Sequence, residues 1–253
     1  MSQQSSINQF RAARSDSQLA VLEGLHVIKH ALRFGANPTT IVVAEGVDVQ
    51  SLANRLAPDV TDHVTAARTV PPSVFAQLAP VPPATGIMAI APRRSHSLTD
   101  ILDDPVSPPV VLLDYPQQAN NIGAAIRVAA AAGAAGLIVR GEVDPWSPGA
   151  LRAATGLHYA LPVVQTVELS ATDRPIIAID AAAQTPVATA VPPRALLVFG
   201  AERDGIAPDL LARANHRWRL PMRAGVSSLN LATAVAAVLY GHSAPSPAGG
   251  ALQ

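Results

Sequence analysis

The chain has 253 residues, 49% hydrophobic but only 4% aromatic, so a sizeable core must be assembled from Ala, Val, Leu and Ile. Its formal net charge is +0, without the basic excess that usually marks a nucleic-acid-binding domain, so any such contact has to be local. No cysteine is present, which excludes disulfides and thiolate metal sites, and no apolar run reaches the roughly 18 residues of a membrane span.

All but one of the 18 basic residues are arginines, the exception being Lys29. Phosphate or planar-group recognition here would therefore use guanidinium forks. The opening stretch MSQQSSINQFRAARSDS is polar and has no apolar signal core, so the expected location is the cytoplasm, with no membrane association.

In chain order, residues 1–15 read as a loose polar start and Asp16 to Gly35 as one helix stopped by glycine. TTIVVAEG is a buried strand, VQSLANRLA a short helix, VTDHVTAARTV strand-like at its start, SVFAQLA a short helix and TGIMAIAPR a strand. This alternation predicts a small α/β domain. SHSLTDILDDPVSPP is polar and punctuated by proline, the signature of a linker. PVVLLDYP is a continuous apolar strand of the kind a parallel sheet buries on both faces. There follow a helix over Asn120–Gly133, the strand GLIVRG, the short helix PGALRAATG and the strands ALPVVQ, RPIIAIDA and RALLVFG. PDLLARA is a short helix, HRWRLPM a strand, SSLNLATAVAAVLYGH the last helix and SAPSPAGGALQ a disordered tail. The second part is thus α/β with a mostly parallel sheet.

Familiar motifs are absent. There is no G-x-G-x-x-G dinucleotide fingerprint, no phosphate-binding Gly-Lys loop and no G-x-S-x-G nucleophile elbow. His26 and His30 share a helical spacing but lack a third ligand, so no metal is expected. Instead, polar and glycine residues gather directly after three strands, in LDYPQQANNIG, LVFGAERDG and LPMRAGVSSLN. Ligands of open α/β sheets bind beyond the carboxyl ends of strands.

Taken in order, these segments resemble the three motifs of the SpoU/TrmH branch of the SPOUT RNA methyltransferases. VLLDYPQQANNIGAAIRVAAAAGAAGLIV is similar to strand, N-x-G, then Arg six positions after Asn. LLVFGAERDGIAPDLL is similar to G-x-E-x-x-G, and LPMRAGVSSLNLATAVAAVLY to I-P-M, a glycine loop and S-L-N. The match covers about residues 109–242 and departs from the common pattern at Ala154, Ala201 and Leu231-Ala232-Thr233. VLEGLHVIKHAL and TGIMAIAP resemble, more loosely, the small α/β substrate-binding domain of several family members.

The resemblance implies a small α/β RNA substrate-binding domain over 1–94, a linker over 95–108, a SPOUT methyltransferase domain with a deep trefoil knot over 109–243 and a tail over 244–253. It implies S-adenosylmethionine as donor, a homodimer, and methylation of a ribose 2′-hydroxyl in rRNA. The alternatives are tRNA as substrate, an antibiotic-resistance role, or an RNA- or cofactor-binding protein without turnover. It assigns catalysis to Asn121, Arg127, Glu202, Ser228 and Asn230, and cofactor binding to Phe199, Gly200, Ala201, Gly205, Leu220, Met222, Ser228 and Leu229. Arg127 would clamp a phosphate or ribose and stabilise the 2′-oxygen, since an arginine stays protonated, and Glu202 would orient it, within the chain or across the dimer interface, or meet the RNA. Plainer roles are a surface arginine and helix caps at Asn121 and Asn230. Arg11, Arg14, Arg203 and Arg223, joined by Arg213, Arg217 and Arg219, are the candidate RNA contacts.

Overall fold

The computed structural model describes residues 3–187 and 190–242. The chain builds two sheets in succession. The first unit comprises α1 (Gln3–Ser15), β1 (Leu19–Glu23), α2 (Leu25–Arg33), β2 (Thr40–Ala44), α3 (Val49–Leu56), α4 (Thr61–Thr65), β3 (Arg68–Val70), α5 (Pro72–Phe75) and β4 (Ile87–Pro92). Its strands lie in the order β1-β4-β2-β3, with β4 antiparallel to both neighbours and β3 parallel to β2. Side chains alternate across each strand. Val21, Val42, Met88 and Ile90 therefore pack on Ile7, Phe10 and Ala13 of α1, while Leu22, Val43, Ile87 and Ala89 pack on Leu25, Ile28 and Ala31 of α2.

Several expectations change here. Residues 3–15 form a helix, because Ile7, Phe10 and Ala13 give its polar sequence one buried edge. The expected helix over 16–35 is a strand and a helix, divided at Gly24, whose φ of 95° no helix continues. TDHVT is a helical turn, and only Arg68–Val70 is strand. Within 95–108 lies α6 (Leu98–Asp103), opened by a Ser97–Asp100 capping box and burying Ile101 and Leu102. The fully buried Arg174 holds its end by donating to the carbonyls of Ile101, Leu102 and Asp104.

The second sheet follows: β5 (Val110–Asp114), α7 (Ala119–Ala131), β6 (Gly136–Arg140), α8 (Pro148–Ala153), β7 (Val163–Thr166), β8 (Ile176–Ile179), β9 (Thr185–Pro186), β10 (Leu196–Gly200), α9 (Pro208–Arg213), β11 (His216–Arg219) and α10 (Leu231–His242). All its pairs are parallel, in the order β7-β6-β5-β10-β8-β11-β9. Val111, Leu113, Leu197 and Phe199 face α7 and α10, whereas Val110, Leu112, Leu196 and Val198 face α6 and α9. The last helix begins at Leu231, so SSLN precedes it as a loop. The tail expected over 244–253 lies outside the described residues.

The two sheets meet at a built joint. Trp146, Leu151 and Tyr159 enter the core of the first sheet, and the Tyr159 hydroxyl donates to the Pro92 carbonyl at 2.8 Å. A Cβ on Gly156 would come within 2.3 Å of the Val27 carbonyl oxygen. The buried Glu23 of β1 accepts from Arg14 of α1 at 2.7 Å and from Arg152 of α8 at 2.5 Å. Among the described residues, no helix is long and apolar enough to cross a membrane.

Candidate cofactor and catalytic site

The carboxyl ends of β8 and β10 open into a cavity of about 330 Å³. Phe199, Gly200, Ala201, Gly205, Leu220, Met222, Ser228 and Leu229, widely separated in sequence, all line it. The fold supplies three walls. β10 delivers Phe199 and Gly200, after which residues 201–205 turn back on themselves through paired Ala201 and Gly205 backbone bonds of 3.0 and 3.1 Å. Gly200 makes this turn feasible, since a Cβ there would lie 2.2 Å from the Gly205 carbonyl carbon. The loop after β11 brings Leu220, Met222, Ser228 and Leu229.

Glu202, on the cavity wall, accepts from the Asn121 side chain at 2.5 Å and from the Gln117 amide at 3.4 Å. The Asn121 side-chain oxygen Oδ1 accepts from the Asn230 side-chain amide at 3.0 Å. Asn230 in turn accepts from the Ala232 amide at 3.0 Å and so caps α10. Residues from all three motifs thus form one connected polar rim. Asn121 sits in the first turn of α7 and is no cap there; Asn230 is both cap and rim.

Arg127 does not join this rim within one chain. Six residues on from Asn121 it has turned about 240° round the helix and risen about 9 Å. It is exposed, near enough to His26 and His30 of α2 for its charge to add to the burial that lowers both imidazoles below their ordinary range. Within one chain Glu202 thus holds Asn121 rather than Arg127. The nearby Gly123 faces away from the cavity, its absent Cβ leaving room for the Ala150 carbonyl of α8.

The arginines divide. Arg203, at the tip of the 201–205 turn, Arg223 and Arg11 are exposed. Arg14 is instead held by Glu23 and the Leu78 carbonyl, which removes it from the candidate RNA contacts. Arg213 donates to the Leu169 and Ser170 carbonyls, Arg217 to Asp180 and Arg219 to the Gln184 carbonyl.

Among the lining residues that sequence reasoning missed are Ile179, Asp180, Ala181 and Ile206. Three of them end or follow the strand RPIIAIDA, so attention to every post-strand position would have found them.

The lining suits a ligand with a flat apolar body and polar ends. Ile179, Phe199, Ile206 and Leu229 give the apolar walls, and Asp180, Glu202, Ser227 and Ser228 the polar points.

Residues 108–240 match the SpoU rRNA Methylase family. A 23S rRNA (uridine-2′-O)-methyltransferase of Streptomyces viridochromogenes is 32% identical over 51% of this chain and 50% of its own length, so the chain spans about half of that relative. A 23S rRNA (guanosine-2′-O-)-methyltransferase of Pseudomonas syringae pv. tomato is 26% identical over 88% of this chain and 95% of its own. The AdoMet-bound rRNA methyltransferase from Sinorhizobium meliloti superposes with a TM-score of 0.69 at 25% identity, covering 94% of this chain and 92% of that one.

Proposed function

Because the chain belongs to the SpoU rRNA methylase family, we propose that it methylates a ribose 2′-hydroxyl of rRNA with S-adenosylmethionine as donor. One observation carries the reading: the cavity at the sheet's carboxyl edge, lined by all eight expected cofactor residues, with Glu202, Asn121 and Asn230 hydrogen-bonded on its rim. The relatives support it, being 23S rRNA 2′-O-methyltransferases by name and, in the Sinorhizobium structure, AdoMet-bound. The apolar walls fit a purine, and the polar points fit a ribose and an amino-acid moiety.

When bound, S-adenosylmethionine would supply an electrophilic methyl on its sulfonium, to be transferred to the ribose 2′-oxygen with S-adenosylhomocysteine as leaving group and the hydroxyl proton passing to solvent. The chain's part is positioning and charge stabilisation. Glu202 fixes the Asn121 amide, Asn230 anchors the third loop to it, and Ser228 reaches the same cavity. Arg127 clamps the target phosphate and stabilises negative charge on the 2′-oxygen. Its separation from Glu202 is bridged in a homodimer, with Arg127 of one protomer meeting the partner's cavity. Arg203, Arg223 and Arg11 hold the RNA backbone. Residues 1–94 act as the substrate-binding domain, 95–108 connect it, and 109–243 form a knotted catalytic domain working in the cytoplasm.

Calorimetric titration with S-adenosylmethionine is expected to saturate near one donor per subunit; no binding with or without rRNA would overturn the proposal. Arg127→Ala is expected to lower methyl transfer to unmodified rRNA about 100-fold or more while leaving donor affinity unchanged. Undiminished turnover would remove Arg127 from the mechanism.

A further inference from the structure

Tyr115 directly follows β5 on the cavity's edge of the sheet, and the chemistry above does not use it. Its φ is 49°, in the left-handed region where a bulky residue is strained and glycine is not. The chain nevertheless places a tyrosine there and supports its ring. The Arg140 guanidinium carbon lies 5.1 Å from the ring centroid. That guanidinium is itself fixed by Asp114 at 3.1 Å and by both oxygens of Asp209 at 3.2 and 2.8 Å. The glycine at 141 leaves room for the ring, since a Cβ there would lie 3.2 Å from Tyr115 Cδ1.

The backbone is fixed as well. The Tyr115 amide donates to the Arg140 carbonyl at 2.7 Å, and its carbonyl accepts from the Gln117 side chain at 2.9 Å. The Gln117 amide in turn donates to Glu202, which ties this turn to the catalytic rim. Despite this support, Tyr115 remains 41% exposed. Its exposed chain neighbours Gln117 and Gln118 are polar.

A rigid, cation-backed, solvent-facing aromatic beside a ribose-modifying site has the properties of a stacking surface for an unpaired base. We propose that Tyr115 is a base-stacking platform for a single-stranded nucleotide flanking the methylated ribose, an inference that rests on the RNA reading above.

The test compares the full-length protein with Tyr115→Gly, which keeps the turn and removes the ring, and Tyr115→Phe, which keeps the ring. The probe is an unmodified 23S rRNA transcript, read by filter retention and by methyl transfer. Tyr115→Gly is expected to weaken transcript binding about tenfold or more, with donor affinity and sedimentation unchanged, and Tyr115→Phe to stay within about twofold of the parent protein. Parental binding by Tyr115→Gly would overturn the platform and leave the RNA reading intact. So would a changed sedimentation state, which would place the ring between copies of the chain, or a Tyr115→Phe loss as large as that of Tyr115→Gly. If the parent protein retains no transcript at all, the RNA reading falls and the platform with it.

Discussion

At the scale of single residues, the cavity depends on a missing side chain. Gly200 lets the 201–205 turn close directly on the end of β10, and a methyl group there meets backbone at 2.2 Å rather than a side chain that could move aside. Gly200→Ala is expected to raise the donor's Kd about tenfold or more, since the turn carrying Ala201, Glu202 and Gly205 must shift; calorimetry on the folded variant checks it. The three segments of this site were legible in the sequence, because polar and glycine residues packed behind three apolar strands have few structural reasons to be there; its individual residues came from the family resemblance. Arg127 was legible as a residue but not as a geometry. Spacing along α7 gives its angle from Asn121, yet nothing in the one-dimensional order says that Asn121 would occupy Glu202. Asp180 was missed because a single carboxylate after a strand looks like any turn residue; its place on the cavity wall follows from β8 lying next to β10.

At the scale of elements, apolar strands such as VVLLD and LLVFG could be read directly, while polar helices could not. The break at Gly24 was hidden by the apolar spacing on both of its sides, which mimics one long helix. Packing made the difference, as in α1, whose buried edge exists only because the first sheet offers a surface for it. The same packing places a carboxylate where three elements meet. Glu23 of β1 is buried between Arg14 of α1 and Arg152 of α8, with only Arg152 half in water. Glu23→Ala leaves Arg14 unpaired in a largely dry site, and is expected to destabilise the protein by about 3 kcal/mol. Urea unfolding of the variant checks this, and Glu23→Gln, which keeps an acceptor, is expected to lose less.

At the scale of the whole molecule, the joint between the sheets confers a pH dependence. His158 is completely buried beside Trp146, its Nε2 donating to the Pro145 carbonyl at 2.7 Å while Nδ1 has no partner. Burial lowers its pKa from 6.5 to about 4. The unfolded chain therefore takes up a proton that the folded chain refuses, and stability falls as pH drops from 6.5 towards 4, by on the order of 3 kcal/mol from this group. His26, His30 and His96, also lowered chiefly by burial, carry the same sign. Urea midpoints across that range, with His158→Gln showing a flatter profile, measure the contribution. Strand order has a further consequence, for the sequence of events during synthesis. β10, made some eighty residues after β5, inserts between β5 and β8, just as β4 inserts between β1 and β2. Until Leu196–Gly200 leave the ribosome, VVLLD has β6 on one side and an open apolar edge on the other, which is a template for self-association. The nascent chain must therefore hold half a sheet in waiting, and a product truncated before residue 196 is bound for aggregation or degradation rather than for a smaller native domain.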